Sequence, residues 1–573
     1  MSRDESFMKG VFAGVVLDGV IFPYPEPSRA EAGDIQPYLD GIRRLATKID
    51  PGRIDAEEAI EPDVFAGAAE AGLFGLIVPK AHGGAGFGAT VYARIIQELA
   101  YHDPSVALVV AAHQSLGFAG VSYFGSTEMQ AKWMPRLAKG ETIAAFALVE
   151  QGAGSDAGSI QTRADKVEGG YLLSGEKIWV TNGARADLFT VFARTSPAEE
   201  GAKPRITCFM VERGPGVTIG ADEPKLGVRG ARTATITFDK VLVPEENVLG
   251  DVGRGFKVAM EVLTAARLSL AATCVGMGKR LLKMSVDRAT ERKAFGRSIS
   301  EFGLVKDKLA TMSAELFAME SITYLTTGLV DQGRTDFAVE SAITKVFASE
   351  ALWRIANEAL QIAGGIGYMR AHGWERLLRD ARHAMVYEGT NEILRAFIAL
   401  SGMQAPGREI EDVSKAMREP IKGFGLLSDF ALRKARSVLN RGERERLTRA
   451  HASLAEHAAL FDEHTANLAK NVEKALRRHG KNIAEMQYTQ KRTADVAIDL
   501  YLIAGCLART TRAIEKRGEE GARREIDLTN VVVRAAAKRL AENVASFDEN
   551  DDELRKAIAQ KTCADGGYPL DIL

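Results

Sequence analysis

Tyr387-Glu388-Gly389-Thr390-Asn391-Glu392-Ile393-Leu394-Arg395 lies between a basic segment, Leu378-Arg379-Asp380-Ala381-Arg382-His383, and an apolar run of helical spacing from Ala396 to Leu400. A carboxylate beside a glycine at such a joint can project from a turn instead of lying along a helix face. Gly389 has no side chain to keep another molecule from the backbone. Taken alone, the Glu-Gly pair reads more readily as a solvated turn than as a functional site, so its meaning depends on the rest of the chain.

The chain has 573 residues, enough for several domains, and its 46% hydrophobic content with mixed charge is that of a globular protein. A formal net charge of -2 gives no drive toward nucleic acid. The four cysteines, Cys208, Cys274, Cys506 and Cys563, form no C-x-x-C pair, so reduced buried thiols are expected rather than a zinc site or a disulfide framework. No metal site is expected. The run from Val11 to Ile21 is broken by Gly14, Asp18 and Gly19, which fits neither a signal nor a transit peptide. No stretch offers about 20 uninterrupted apolar residues. The expected location is the cytoplasm of a bacterium; a mitochondrial one would require that a transit peptide has been removed.

Five segments follow from composition and periodicity. Residues 1–30 are an N-terminal extension ending in the extended Phe22-Pro23-Tyr24-Pro25-Glu26-Pro27. Residues 31–145 have helical spacing, with Val106 to Phe124 apolar nearly all round and therefore buried. The cluster His82-Gly83-Gly84-Ala85-Gly86-Phe87-Gly88 lacks both the dinucleotide and the P-loop fingerprints and reads as a turn. Residues 146–250 carry short runs rich in Val, Ile, Thr and Phe between glycines and prolines, which predict an antiparallel β domain. Residues 251–402 return to long helices with Gly328, Gly333 and Gly364-Gly365 as breaks. Residues 403–573 form a further helical block, joined at Met403 to Gly407, with Asp495 to Leu507 buried.

The segment Tyr387 to Arg395, preceded by Arg379-Asp380 and by Gln361-Ile362-Ala363-Gly364-Gly365, resembles the C-terminal signature of the acyl-CoA dehydrogenases. Helices, a β insert and a second set of helices are also that family's layout. The resemblance implies that Glu388 is the catalytic base and FAD the cofactor. Phe146-Ala147-Leu148-Val149-Glu150-Gln151-Gly152-Ala153-Gly154-Ser155-Asp156 stands where the family has a flavin-binding loop. Backbone N–H groups of such a loop can meet a polar ring edge or a phosphate, although alone it would serve equally as a hairpin loop. Val149 replaces the usual Thr and Gln151 the usual Pro, which removes a hydroxyl contact and leaves a backbone one.

Gly175-Glu176-Lys177-Ile178-Trp179-Val180-Thr181-Asn182-Gly183 is similar to the strand whose Trp shields the isoalloxazine and whose Thr bonds near N5. Outside that context it would be an ordinary strand with a core Trp. Arg292-Lys293-Ala294-Phe295-Gly296 matches the motif whose Arg and Phe reach the FAD of a neighbouring subunit, a guanidinium being suited to pyrophosphate. Gln361, Gly364 and Gly365 are expected at the adenine end, with Thr390 and Glu392 completing the cradle. For the substrate, the resemblance points to Ser155, Leu263, Tyr387 and Gly389, and to Arg267 near the CoA portion, unless Arg267 is only a helix-surface charge. The Glu388 N–H is expected to hold the thioester carbonyl, and a desolvated carboxylate there would have a raised pKa.

The extra block after residue 402 and Ala112-His113-Gln114-Ser115-Leu116-Gly117-Phe118 resemble the very-long-chain branch. That implies a long-chain acyl-CoA substrate, an electron-transferring flavoprotein as acceptor and a homodimer. Ala107, Ala111 and Ala112 would leave room for the acyl tail; His113, a lone helical His, reads as a satisfied core residue. The C-terminal block is either a helical cap on a dimer, the favoured reading, or a peripheral membrane contact through the basic run Arg433 to Arg449, which Glu443 and Glu445 interrupt. Two rival functions share the motifs: an assembly or interaction protein that kept the flavin fold, and an acyl-CoA oxidase passing electrons to oxygen.

Overall fold

Alternation of apolar and polar residues in the middle of the chain produces one eight-stranded sheet in the computed structural model, which describes residues 5–27, 29–195, 205–418 and 446–572. The strands are β1 (Ala144–Ala147), β2 (Arg163–Val167), β3 (Gly170–Thr181), β4 (Leu188–Arg194), β5 (Ile206–Glu212), β6 (Val217–Asp222), β7 (Thr233–Pro244) and β8 (Val248–Leu249). They run in the order β6-β7-β3-β2-β4-β5-β8, with β1 beside β4. The sheet is not wholly antiparallel: β1 lies parallel to β4, and β2 meets β4 in parallel at Arg163 and Arg194. Phe189, Val191, Phe209, Ile236 and Phe238 fill one face and are all but fully buried.

Contacts divide the chain into two units. The first contains Pro23–Leu394. Its N-terminal helices include Ala89–His102 and Pro104–Ala111, separated by Asp103, which caps the second through Ser105 N (2.9 Å) and Val106 N (3.0 Å). The expected helix over Val106–Phe124 is not continuous. A π-helical turn occupies Ala112–Phe118 before Ala119–Phe124. Within it His113 Nε2 meets the Leu137 carbonyl at 3.1 Å and Nδ1 accepts from Ala144 N at 3.0 Å, so His113 is neutral and structural; burial pushes its pKa down to about 4. Gln114 bridges the Leu73 carbonyl (2.8 Å) and Ile77 N (3.2 Å). The widened turn satisfies these buried partners, and such turns gather at functional sites.

Three long helices follow the sheet: Gly255–Glu291, Gly303–Asp331 and Ala338–Ala363. Gly333 (φ 73°) and Gly364 (φ 67°) stand at helix ends, but Gly328 does not break its helix. A Cβ there would lie 2.2 Å from Pro25, so its bareness admits the Pro-rich segment instead. Two helical stretches, Pro104–Phe124 and Gly255–Glu291, are long and apolar enough on average to cross a membrane, although polar residues interrupt both. Their apolar windows are 83% and 72% buried inside the protein, as core helices are.

The short helix Trp374–Arg382 ties the parts of this unit together. Arg379 forks onto both Asp55 oxygens (2.9 and 2.6 Å) and donates to the Leu226 carbonyl at 2.9 Å; Arg376 reaches Asp103 at 3.1 Å. Asp380 accepts from Val228 N at 2.6 Å. Arg379 of the basic segment is therefore paired on Asp55, and this helix leads directly into the loop that follows it.

The second unit contains Glu5–Phe22 and the chain from Arg395 onward. The expected extension over 1–30 is thus divided at Pro23. Phe7, Met8, Val11 and Phe12 are fully buried here, the Phe7 ring lying 6.3 Å from Phe461 and 6.4 Å from Tyr501. Its helices are Ala455–His479, Gln487–Gly521, Arg523–Ala545 and Asp552–Asp565. Val496–Leu507 is buried as expected. The expected joint at Met403–Gly407 is no break, because the helix Asn391–Arg418 runs through it with Pro406 inside. The basic run from Arg433 to Glu445 lies outside the described residues.

Candidate active site

The loop carrying Glu388 is held in a conformation that few sequences adopt. Glu388 (φ 58°) and Gly389 (φ 94°) are both left-handed, which glycine tolerates freely and glutamate does not. Side chains compensate from behind. Arg267 Nε donates to the Glu388 carbonyl at 3.2 Å, and Lys345 Nζ donates to the Gly389 carbonyl at 2.8 Å. Arg267 is 6% exposed and Lys345 0%. Lys345 also meets Asn391 Oδ1 at 2.9 Å, and Asn391 Nδ2 donates to Ser349 Oγ (3.0 Å) and Glu350 Oε1 (3.1 Å).

With both carbonyls turned to buried cations, the Glu388 N–H forms no hydrogen bond among the described residues. Glu388 Oε2 is buried without a partner. Burial pushes the Glu388 pKa up to about 7, while the Lys345 and Arg267 charges hold it from rising further. Burial lowers Lys345 to about 8 and Arg267 to about 10, opposed in both by Glu388. The Tyr92 hydroxyl, near Ser115, Ser269 and Glu388, is buried without a hydrogen bond of ordinary geometry. Arg267 is therefore no surface charge: it is buried and its Nε is engaged on the Glu388 backbone.

A second cluster is built on the sheet. After β1, Leu148 and Val149 place their carbonyls on Lys177 Nζ (3.0 Å) and Ile178 N (2.9 Å). Glu150 takes Lys177 Nζ at 2.7 Å and Thr162 N at 3.0 Å, and also accepts from Gln161 N. This buried pair staples the loop 149–162 to β3. Beyond it Gly154 and Ser155 are exposed, with open space where a Gly154 Cβ would be. β3 shifts register against β7 between Lys177 and Val180, and at that bulge Trp179 takes φ 56° and stands 60% exposed. Bulges re-aim side chains in this way. Val180 returns to the core, leaving only its backbone for a ligand, and Thr181 is half-buried.

The other candidates occupy several places. Phe146 packs on Phe192 with centroids 5.0 Å apart, Leu263 is half-buried against the helical core, and Tyr387 stacks edge-on to His383 at 5.2 Å. Thr390 Oγ1 accepts from Ile393 N at 3.4 Å, while Glu392 is exposed. Arg292 and Phe295 lie on a small hairpin beyond the end of Gly255–Glu291, Phe295 being 94% exposed with φ 52°. Along that helix Arg267 and Glu291 are about 36 Å apart at 1.5 Å per residue. Gln361, Gly364 and Gly365 are exposed at the end of Ala338–Ala363, about 24 Å along it from Lys345. One chain brings Glu388, Gly389, Arg267 and Tyr387 together; it does not bring Arg292 or Phe295 to them.

Lys345, Asn391 and Tyr92 are missing from the sequence-based set. Lys345 left a signal: it sits on the helical stripe with Ser341, Ala342, Ala348 and Ser349, all buried, where a lone lysine requires a partner.

Comparison with known proteins accounts for this arrangement. Family descriptions match in chain order: acyl-CoA dehydrogenase N-terminal domain at 38–141, middle domain at 145–241 and C-terminal domain at 253–403, then the ACAD9/ACADV C-terminal domain at 452–568. The chain belongs to the acyl-CoA dehydrogenase family. Within it, the chain is 40% identical over 558 residues to the human mitochondrial very-long-chain specific acyl-CoA dehydrogenase, covering 96% of this chain and 85% of that one. A probable acyl-CoA dehydrogenase of Bacillus subtilis is 33% identical, over 84% of this chain and 82% of its own. An acyl-CoA dehydrogenase from Bacillus anthracis, solved with FAD, aligns over 98% of this chain and 96% of that one, with a TM-score of 0.78 and 28% identity.

Proposed function

We propose that this chain is an FAD-dependent acyl-CoA dehydrogenase that converts long-chain fatty acyl-CoA to trans-2-enoyl-CoA, as in β-oxidation, with Glu388 as the base. The observation that carries the reading is the Glu388 carboxyl, buried and unpartnered on a left-handed loop whose carbonyls are turned inward. The residues fit FAD. A large aromatic, Trp179, is pushed into the open by a bulge, and beside it an exposed loop at Gly154 and Ser155 has room for close backbone approach. Leu148, Val149, Val180 and Thr181 would meet the ring edge through backbone and hydroxyl. FAD, when bound, accepts the hydride from the substrate β-carbon.

The chain's own part is to take the α-proton at a Glu388 oxygen. A pKa of about 7 leaves a large share of Glu388 ionised at neutral pH yet strong enough as a base to be useful. The free Glu388 N–H is oriented to meet the thioester carbonyl, where it stabilises charge as the α-proton leaves. Tyr92 and Cys274, both buried and within reach of the Glu388 charge, surround it with protein rather than solvent. The long-chain assignment rests on the very-long-chain relative and on Ala107, Ala111 and Ala112, buried small residues in the stretch Pro104–Phe124. Anaerobic palmitoyl-CoA is expected to bleach the yellow protein faster than butyryl-CoA. Bleaching by butyryl-CoA alone would overturn the long-chain assignment, and bleaching by neither would overturn the dehydrogenase reading.

Arg292, Phe295, Gln361, Gly364 and Gly365 would serve FAD from a second copy, which the separation along the helices supports. The proposed assembly is therefore a homodimer. Phe295→Asp, at an open position where folding is undisturbed, is expected to shift the protein toward monomer and to lower its FAD content together. Light scattering with the flavin-to-protein absorbance ratio reads both. Electron-transferring flavoprotein is the proposed acceptor and a bacterial cytoplasm the proposed location, with membrane contact a minor role of the C-terminal block.

A further inference from the structure

A lysine with no solvent exposure gives up its hydration, and it persists in a fold when protein acceptors take up its donors. Lys345 spends two of its three donors on the catalytic loop: the Gly389 carbonyl at 2.8 Å and Asn391 Oδ1 at 2.9 Å. Neither acceptor is a carboxylate, so the ammonium charge is not neutralised by direct contact. The groups that face it are Glu388, Asn391 and His383 from the loop and its approach, Arg267 and Cys274 from Gly255–Glu291, and Ser349 and Glu350 from its own helix. Burial keeps His383 neutral, with its pKa near 4, and keeps Cys274 a thiol, with its pKa near 12. Glu350 is engaged by Asn391 Nδ2 at 3.1 Å. The remaining charges are two cations, Lys345 and Arg267, and two carboxyls, Glu388 and Glu350.

We propose that Lys345 is a positioning residue for the base: by holding the Gly389 carbonyl inward it fixes the left-handed turn that presents the Glu388 N–H and carboxyl to substrate, and it sets a buried positive charge near that carboxyl. This rests on the dehydrogenase reading for its consequence, though not for its geometry. Positive φ is unfavourable at Glu388, whereas Gly389 adopts it freely and can leave it as freely, so each needs outside support to hold this one turn. Arg267 supplies that support at Glu388, and Lys345 at Gly389. Removing the lysine frees the Gly389 peptide to rotate and leaves Glu388 facing Arg267 alone.

The test uses the full chain with FAD and three variants. Lys345→Gln keeps a donor for the Gly389 carbonyl without the charge, and Lys345→Met removes both. Asn391→Asp sets a carboxylate on the ammonium and leaves Lys345 in place. The pH dependence of the first anaerobic reduction by palmitoyl-CoA is measured alongside the titration of the Glu388 carboxyl. The latter is read by 13C NMR of glutamate-labelled protein and assigned by its loss in Glu388→Gln. In all three variants the midpoint of Glu388 is expected to move alkaline by a unit or more, a tenfold loss of ionised base on the acid limb. Lys345→Met is also expected to weaken binding of an enoyl-CoA several-fold more than Lys345→Gln.

An unmoved midpoint in folded, FAD-holding variants would overturn the proposal. If the Lys345 variants do not fold, Asn391→Asp decides by the same midpoint. If no acyl-CoA reduces the wild type, the dehydrogenase reading falls, and the carboxyl titration still decides the role of Lys345.

Discussion

Glu388→Gln is expected to leave the protein folded and yellow and to remove its bleaching by palmitoyl-CoA. Gln is isosteric with Glu and retains the backbone of the left-handed turn, so Arg267 and Lys345 keep their carbonyls. What is lost is the base, and general-base catalysis contributes roughly 10²–10⁴-fold. The wild-type rate of α-proton removal should rise with pH through about 7, where burial has placed the Glu388 pKa. The same shift has a stability consequence of opposite sense. Between the pKa of an unfolded glutamate, near 4.5, and about 7, the folded state holds a proton that the unfolded state has released. Stability from this group therefore falls as pH rises through that window, by about 1.4 kcal/mol per unit. Glu388→Gln removes the term, so the variant should melt higher than wild type at pH 8 and alike at pH 4. A variant that lost both bleaching and thermal stability at pH 8 would show that Glu388 supports the fold, and the assignment of a base would fail.

Legibility in the sequence followed how local each feature was. The Glu-Gly pair at 388 and 389, the aromatic of β3 and the order of the helical and β segments depend on neighbours in the chain, and pattern reading reached them. The features it missed are set by contacts between distant parts. Gly328 reads as a helix break until Pro25 arrives to use the missing Cβ. Met403–Gly407 carries Pro and Gly, yet the helix from Asn391 continues through it. The π-helical turn at Ala112–Phe118 arises because His113 and Gln114 must meet Leu137, Ala144, Leu73 and Ile77 at once. Trp179 was identified as a flavin partner, but its outward direction comes from a register shift against β7, which no property of residues 175–183 alone discloses. The alternative reading of Arg267 as a helix-surface charge fails for the same reason: its burial and its bond to the Glu388 carbonyl depend on a loop more than a hundred residues away.

The loop that would carry the flavin depends on one buried ion pair, and breaking it should have the second large effect. Lys177 is 0% exposed and Glu150 6%, and between them they hold the Leu148 carbonyl and the Gln161 and Thr162 N–H groups. Burial raises the Glu150 pKa, but the Lys177 charge and those hydrogen bonds outweigh it, so the net shift is downward. Its contribution is therefore present above the pKa of an unfolded glutamate and is lost as pH falls through the lower folded value. Glu150→Ala leaves an ammonium buried without its counter-charge and two N–H groups without an acceptor. Removing one partner of a buried pair costs about 3–5 kcal/mol. The expected result is a lower melting temperature and release of FAD, seen as a rise in free flavin fluorescence at neutral pH, where wild type releases it only on acidification. The double variant Lys177→Met with Glu150→Gln separates charge from scaffold. Met fills the apolar site without an ammonium, and the Gln carbonyl oxygen can still accept from Thr162 N. Recovery of most of the stability and of the bound flavin would locate the single variant's defect in the stranded charge. Recovery of stability without flavin would show instead that the carboxylate's hold on both Gln161 and Thr162 sets the shape of the loop on which Gly154 and Ser155 are displayed.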